Sequence, residues 1–211
     1  VMAGHFRDQA IVSAEKDIDR CLDFSLSDHY FLGKYPEDPQ DTIIIYNGDN
    51  YFKGCILLGI GEAANFNDFK LRKAVENGIV SYALHMRDSQ KETDKKLKGA
   101  ISSLCIGSGF GGLDMDASIT AILFGINNAN KRIYEFNKQI IARSRDEFVE
   151  DDQFLVPITE LELIELFEHK VRDAFYGLKR IKQLNYILDI VIPAQITKNH
   201  GGLKELNTNK T

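Results

Sequence analysis

Residues 100–133 carry the feature that most restricts the fold. Ala100 to Ile106 is a short, nearly continuous apolar run, and the glycine-rich stretch Gly107-Ser108-Gly109-Phe110-Gly111-Gly112 follows at once. Ile119, Ile122, Leu123, Ile126, Ala129 and Ile133 then recur at helical spacing. A brief apolar run bounded by turn residues is what a strand buried on both faces presents. A strand that turns tightly and returns as an amphipathic helix needs a sheet covered by helices. Asp114 or Asp116 stands where that helix requires an N-cap.

The rest of the chain repeats this grammar. Thr42 to Tyr46 is β-branched and lies between Pro39 and the turn Asn47-Gly48-Asp49-Asn50, with a second strand at Cys55 to Ile60, so the two are expected to form a hairpin. From Asp68 to about Met86, Leu71, Ala74, Val75, Ile79 and Tyr82 mark a helix that Asn67 or Asp68 can cap. Ser13 to Leu22 is helix-like, with a strand expected before it around Ala10 to Val12. Lys91 to Lys98 reads as a charged loop. Ile158 to Phe167 reads as a strand with alternating Glu160 and Glu162, or as the first turns of a helix capped by Thr159; the strand is preferred. Val171, Ala174, Phe175, Leu178 and Ile181 form a further helical stripe, and the polar tail from Lys198 is expected to fray. Tyr30-Phe31 and Tyr51-Phe52 are expected as edge or core aromatics. The resulting fold class is α/β, a three-layer αβα arrangement with a mixed sheet flanked by helices and a C-terminal strand/helix extension.

Composition narrows the partners. Lys and Arg total 26 against 31 Asp and Glu, a formal net charge of −5, which offers no basic footprint for nucleic acid or an anionic membrane. With 44% hydrophobic and 27% charged residues the chain can bury a core, and no run approaches the roughly 18 apolar residues of a membrane span. A cytoplasmic location is the expectation. Cys21, Cys55 and Cys105 are widely spaced and contain no C-x-x-C pair, so neither a disulfide framework nor a zinc site is expected. Cys55 and Cys105 sit in apolar runs and read as small buried hydrophobes.

The glycine stretch is the leading candidate for ligand binding. Without side chains at Gly107, Gly109, Gly111 and Gly112, the backbone can approach a ligand while the following helix aims free N–H groups at the turn. Such a place suits a phosphate or pyrophosphate. The spelling satisfies G-x-G-x-x-G, but a dinucleotide fold needs it in an opening βαβ unit with an acidic residue after a second strand about 20 residues on. Here the helix is still running at that distance, and no Gly-Lys-Ser/Thr follows for a P-loop. A tight turn whose glycines serve packing alone is the bland alternative. Gly59-Ile60-Gly61-Glu62 also ends an apolar strand before a helix, so both loops are expected on one sheet edge. His5, His29, His85, His169 and His200 show no metal-binding spacing, and Asp114 and Asp116 read better as caps than as acid or base. No metal, cofactor or catalytic residue is assigned.

Taken in order, several segments resemble a known domain. Gly4-His5-Phe6, Ile11-Val12-Ser13-Ala14-Glu15-Lys16, Asp19-Arg20, Gly33-Lys34-Tyr35-Pro36, Leu58-Gly59-Ile60-Gly61, Leu71-Arg72-Lys73-Ala74 and Ile106 to Gly112 are similar to the N-terminal-type domain of leucine aminopeptidases. They resemble more closely the version carried by large bacterial CHAT-type, caspase-like proteins. The similarity covers roughly residues 1–138, and Leu161 to Leu166 with the helix after it looks like a recurring extension. The resemblance implies a macrodomain-like domain at 1–138, an extension at 139–197 packing on it, and a flexible tail at 198–211. It also implies that backbone N–H groups from Gly107 to Gly112 bind the diphosphate of an ADP-ribose-like ligand; by their place on the same sheet edge Gly59, Gly61 and Glu62 are expected to share that pocket. The other wall would come from about Ala3 to Ser13, where Gly4 and His5 replace the usual asparagine-rich spelling. Three readings follow: a ligand-sensing domain that controls an effector or protease portion of a larger polypeptide, a macrodomain-type ADP-ribosyl hydrolase, or a structural or oligomerisation domain.

Overall fold

Four residues, Met2 to His5, make the shortest strand and occupy the centre of the sheet. The computed structural model describes residues 1–48, 50–90, 99–143 and 153–183. In chain order these form β1 (Met2–His5), α1 (Ser13–Cys21), α2 (Ser25–Phe31), β2 (Thr42–Tyr46) and β3 (Gly54–Gly59). After a 3₁₀ turn at Ala63–Asn65 come α3 (Asp68–Gln90), β4 (Ala100–Leu104), α4 (Met115–Arg143), β5 (Glu160–Ile164) and α5 (Glu168–Gln183). The sheet order is β2-β3-β1-β4-β5. Only the β2–β3 pair is antiparallel, with Thr42 opposite Leu58 and Tyr46 opposite Gly54. β3, β1, β4 and β5 run parallel, so their carboxyl ends share one edge.

Side-chain alternation divides the core into layers. Met2, Ile56, Leu58 and Ile60 join Leu71, Val75, Ile79, Ile122 and Ile126 of α3 and α4, all at most 4% exposed. The intervening residues Ala3, Cys55 and Leu57 face Ile18 of α1, then Leu22, and Leu26 of α2. Successive strand residues point to opposite faces, so two helical layers must sandwich the sheet. At the β5 end, Leu161 and Leu163 pack with Ile119, Leu123, Ala174 and Ile181, seating α5 beside α4. The fold is three-layer αβα, as the patterning predicts. Cys55 and Cys105 are buried, and burial pushes their thiols up to about 12 and about 11. Among the described residues no helix is long and apolar enough to cross a membrane.

Polar groups fix the helices to their neighbours. Asn67 caps α3, its Oδ1 accepting from Lys70 N at 2.9 Å. Asp114 caps α4, its Oδ1 accepting from Ala117 N at 2.7 Å. Two asparagines seven positions apart on α4 then grip the segment that leads into β5. Asn130 donates to Ile158 O at 2.7 Å and accepts from Ile158 N at 2.9 Å; Asn137 does the same for Leu155 at 2.8 and 2.9 Å. Each side-chain amide thus replaces a strand partner for one buried residue. Glu76 of α3, itself 7% exposed, receives Lys73 at 3.1 Å and Arg132 of α4 at 3.2 Å.

Two expectations are corrected, and one helix goes unpredicted. Residues 10–12 are not a strand: the chain bends at Ile11 between positive-φ Asp8 and Ser13, and Val12 is 57% exposed. The strand lies earlier, where Gly4 and His5 interrupt the apolar run that would have advertised it. Tyr30, Phe31 and Tyr51 are exposed and lie on no strand, so they are neither edge nor core; of the four aromatics Phe52 packs into the α1-side core, while Tyr30 meets Tyr35 edge to face at 5.4 Å. Helix α2 was not anticipated, because Leu26 alone of its residues is buried and no periodicity results. It forms because Ser25 donates to Leu22 O at 2.7 Å and the buried Asp19 carboxylate accepts from Ser27 N at 3.0 Å. The charged loop at 91–98, residues 144–152 and everything from 184 onward lie outside the described residues.

Two measurements probe these contacts. Asn130→Ala strands a buried N–H and a buried C=O of Ile158 and is expected to lower stability by about 2 kcal/mol or more, read from urea unfolding midpoints. For Glu76, burial pushes its pKa up, but Lys73, Asn128 and Arg132 outweigh that and hold it below its ordinary 4.5. A carboxylate depressed in the folded state stabilises above its unfolded pKa and loses that contribution as pH falls. The stability gap between wild type and Glu76→Gln is therefore expected to be full at pH 7 and to shrink steadily below pH 4.5.

Candidate functional site

The glycine loop begins where β4 ends. Ser108 turns the chain by donating both its N–H (3.2 Å) and its hydroxyl (2.8 Å) to Cys105 O. Leu113 N returns to Gly107 O at 3.0 Å and Gly112 N to Gly109 O at 3.1 Å, while Ser118 of α4 ties its hydroxyl to Ile106 O at 2.7 Å. Gly107 (φ +81°) and Gly112 (φ +70°) occupy the left-handed region. Gly109, Phe110 and Gly111 are left with N–H groups that donate to nothing among the described residues. Three successive free donors thus stand in the turn that leads into the 29-residue α4, open to an acceptor.

Not every glycine is there for that surface. A Cβ on Gly107 would stand 2.5 Å from the Phe66 ring, and one on Gly111 2.9 Å from it. These two admit Phe66, which follows the 3₁₀ turn after β3. Phe66 meets Phe6 edge to face at 5.0 Å, and Phe6 meets Phe110 at 5.7 Å, with Phe110 76% exposed. Gly109 is different: a Cβ there would meet only Lys170 Nζ of α5, at 3.9 Å. Among the described residues Lys170 has no carboxylate in ion-pair range. Asp116, two positions past the cap, is bound by Arg180 through two contacts of 2.6 Å.

The β3 loop lies on the same edge, but its residues are engaged with one another. Gly59 lies against the Asp38 backbone, and Gly61 (φ +76°) donates to Glu37 O at 2.8 Å and accepts from Arg7 N at 3.0 Å. Glu62 accepts from Asn65 at 3.0 Å and faces Arg7 at 3.7 Å, while Arg7 also contacts Glu37 and Asp38. This half of the edge is net acidic. Phe66 joins it to the glycine loop. Gly4 serves close strand packing, since a Cβ would sit 2.7 Å from Ile106 Cγ2.

His5 faces the opposite layer. Its ring is 3% exposed, Nδ1 lies 3.0 and 3.1 Å from the two Glu15 oxygens, and Tyr35 stacks edge to face at 4.5 Å. Tyr35 also donates to Glu15 Oε1 at 3.2 Å; burial, then the Glu15 charge, pushes its phenol well above the ordinary tyrosine range. Sequence reasoning had His5 but neither partner, because ten and twenty residues of separation follow no local period. Phe66 and Lys170 were missed for the same reason. Among the described residues no group of three His, Cys, Asp or Glu is placed to hold a metal ion. A surface concavity beside Lys131, Tyr134, Glu135, Lys138 and Ile141 lies along α4, about 25 Å from the loop at 1.5 Å per residue, and shares nothing with it.

Comparison with protein-family models and with curated proteins finds no match for this chain.

The roles of the glycines separate by substitution. Gly107→Ala puts a Cβ into Phe66 at a left-handed position and is expected to cost about 1–3 kcal/mol, whereas Gly109→Ala leaves the thermal midpoint within about 1 °C of wild type.

Proposed function

We propose that this chain is a ligand-sensing or regulatory domain of macrodomain-like, aminopeptidase N-terminal type. In this reading it binds a phosphorylated nucleotide-like molecule of the ADP-ribose type and controls an attached caspase-like protease or other effector in the bacterial cytoplasm. The observation that carries the reading is the run of free N–H donors at Gly109, Phe110 and Gly111. The diphosphate oxygens of an ADP-ribose-type ligand are ionised at neutral pH and only accept, so three free donors in succession match them and would disfavour a donor-rich ligand. Lys170 adds a positive charge beside Gly109, and the exposed Phe110 ring, braced by Phe6, offers an apolar face for a base or sugar. Packing accounts for Gly107 and Gly111 but gives no reason for an open Gly109.

Binding without turnover is favoured over hydrolysis. Of the two carboxylates beside the loop, Asp116 is occupied by Arg180 and Asp114 caps the helix. The purely architectural reading rests on the same loop serving as a turn, and leaves its three donors without a role.

Calorimetric titration with ADP-ribose and its cyclic analogues tests this. Wild type is expected to release heat with at least one of them, and Gly109→Asp, which sets a carboxylate among the donors, is expected to abolish it. No heat from wild type with any of these compounds refutes the reading.

A further inference from the structure

The two edges of the sheet are finished differently. β5 carries Glu160 and Glu162, both exposed, and charges of this kind discourage a further strand from pairing. β2, at the opposite edge, reads Thr-Ile-Ile-Ile-Tyr. It contains no charge, no proline and no glycine, and it pairs with β3 residue for residue without a bulge. The devices that usually blunt an edge strand are missing from it.

The register determines which of its backbone groups are free. Gly59 N donates to Asp41 O at 3.0 Å and Asn47 N to Lys53 O at 2.9 Å, so the odd-numbered residues of this strand turn their N–H and C=O groups toward β3. The even-numbered Thr42, Ile44 and Tyr46 turn theirs outward, and none of these groups has a partner among the described residues. Thr42 and Ile44 are half-buried and Tyr46 is 65% exposed, so the edge is open to solvent. Donors and acceptors that recur every second residue along an extended chain are matched by another extended backbone.

We propose that β2 is a dimerisation edge: a second copy of this chain adds its own β2 antiparallel, about a two-fold axis at Ile44, and the sheet continues from one copy into the other. With Ile44 opposite the partner's Ile44, Thr42 falls opposite the partner's Tyr46, and every outward group is satisfied in about six hydrogen bonds. The same pairing sets the exposed Asp41 opposite the partner's Asn47, and across that hairpin stands the partner's Lys53, also exposed. An acidic group thus approaches a basic one at each end of the paired strands. β4 and the glycine loop stand three strands away in the sheet, so both copies keep that edge free. A single strand pair buries little area, which makes the dimer a weak, concentration-dependent one.

Sedimentation velocity and amide hydrogen exchange of the full chain, each followed from about 10 μM to about 1 mM, test the inference. Dimer is expected to accumulate with concentration, and the Thr42, Ile44 and Tyr46 amides to become slow in step with it. The Ile43 and Ile45 amides, bonded to β3, are expected to be slow throughout. Tyr46→Pro removes an outward N–H and leaves the β2–β3 ladder whole, so it is expected to weaken the dimer on the order of tenfold or more. Tyr46→Thr keeps that N–H and is expected to leave the dimer within about twofold of wild type. A chain that stays monomeric over the whole range overturns the inference. So does a dimer whose even-numbered β2 amides still exchange freely, because the copies then meet elsewhere. Even-numbered amides that are slow in the monomer at every concentration overturn it as well, because a segment of the same chain then covers the edge. The wild-type exchange pattern decides the matter even if Tyr46→Pro does not fold, and none of these outcomes bears on ligand binding at the glycine loop.

Discussion

The distance between α3 and α4 sets the rest of the structure. Gly125 of α4 has no Cβ because Val75 and the carbonyl of Arg72 occupy its place, and Gly78 of α3 yields in the same way to Leu58 of β3. Two absent side chains thus bring one helix against both its neighbour helix and the sheet. The largest part of the core, from Leu71 and Val75 to Ile122 and Ile126, closes because those backbones come so near. Once α4 is fixed there, its first turn is fixed too. The glycine loop must then cover the short gap from the end of β4 to Met115, folded over Phe66.

Much of this was legible in the sequence. The strand at Thr42–Tyr46, the helix from Asp68 and the strand, loop and helix from Ala100 were visible because each buries a regular set of positions. The strand preferred over Ile158 to Phe167 exists as the shorter β5, Glu160–Ile164, in which Glu160 and Glu162 point away while Leu161 and Leu163 pack inward. The failures fall where burial is irregular. β1 mixes glycine and histidine into four residues, and α2 is held by Asp19 and Ser27 rather than by an apolar stripe. Local pattern reports the hydrophobic effect well and side-chain hydrogen bonds poorly.

The same division runs through the candidate site. Gly107 to Gly112 announced a close backbone approach, and the structure separates that signal into two uses. Gly107 and Gly111 make room for an aromatic ring, while Gly109 is open beside Lys170. No spacing rule distinguishes those uses, since both partners arrive from elsewhere in the chain: Phe66 from 41 residues before Gly107 and Lys170 from 61 residues after Gly109. The Gly59 to Glu62 loop was expected on the same edge and lies there, but Arg7, Glu37 and Asp38 absorb its polar groups. The two loops therefore differ in charge and in what they leave free.

The paired asparagines of α4 have a consequence for how β5 was joined to the sheet. Apolar docking tolerates sliding, because one methyl group replaces another at little cost. The amides of Asn130 and Asn137 instead read Ile158 and Leu155 as individual residues, and a slip of one position would break all four hydrogen bonds at once. The helix therefore acts as a ruler with two notches, and the count of residues from Ile158 to Glu160 is locked to the edge of β4. Insertions or deletions ahead of Leu155 leave that count intact, while any between Leu155 and β5 would throw the last strand out of register. The chain can vary in length on one side of the notches and is rigidly metered on the other.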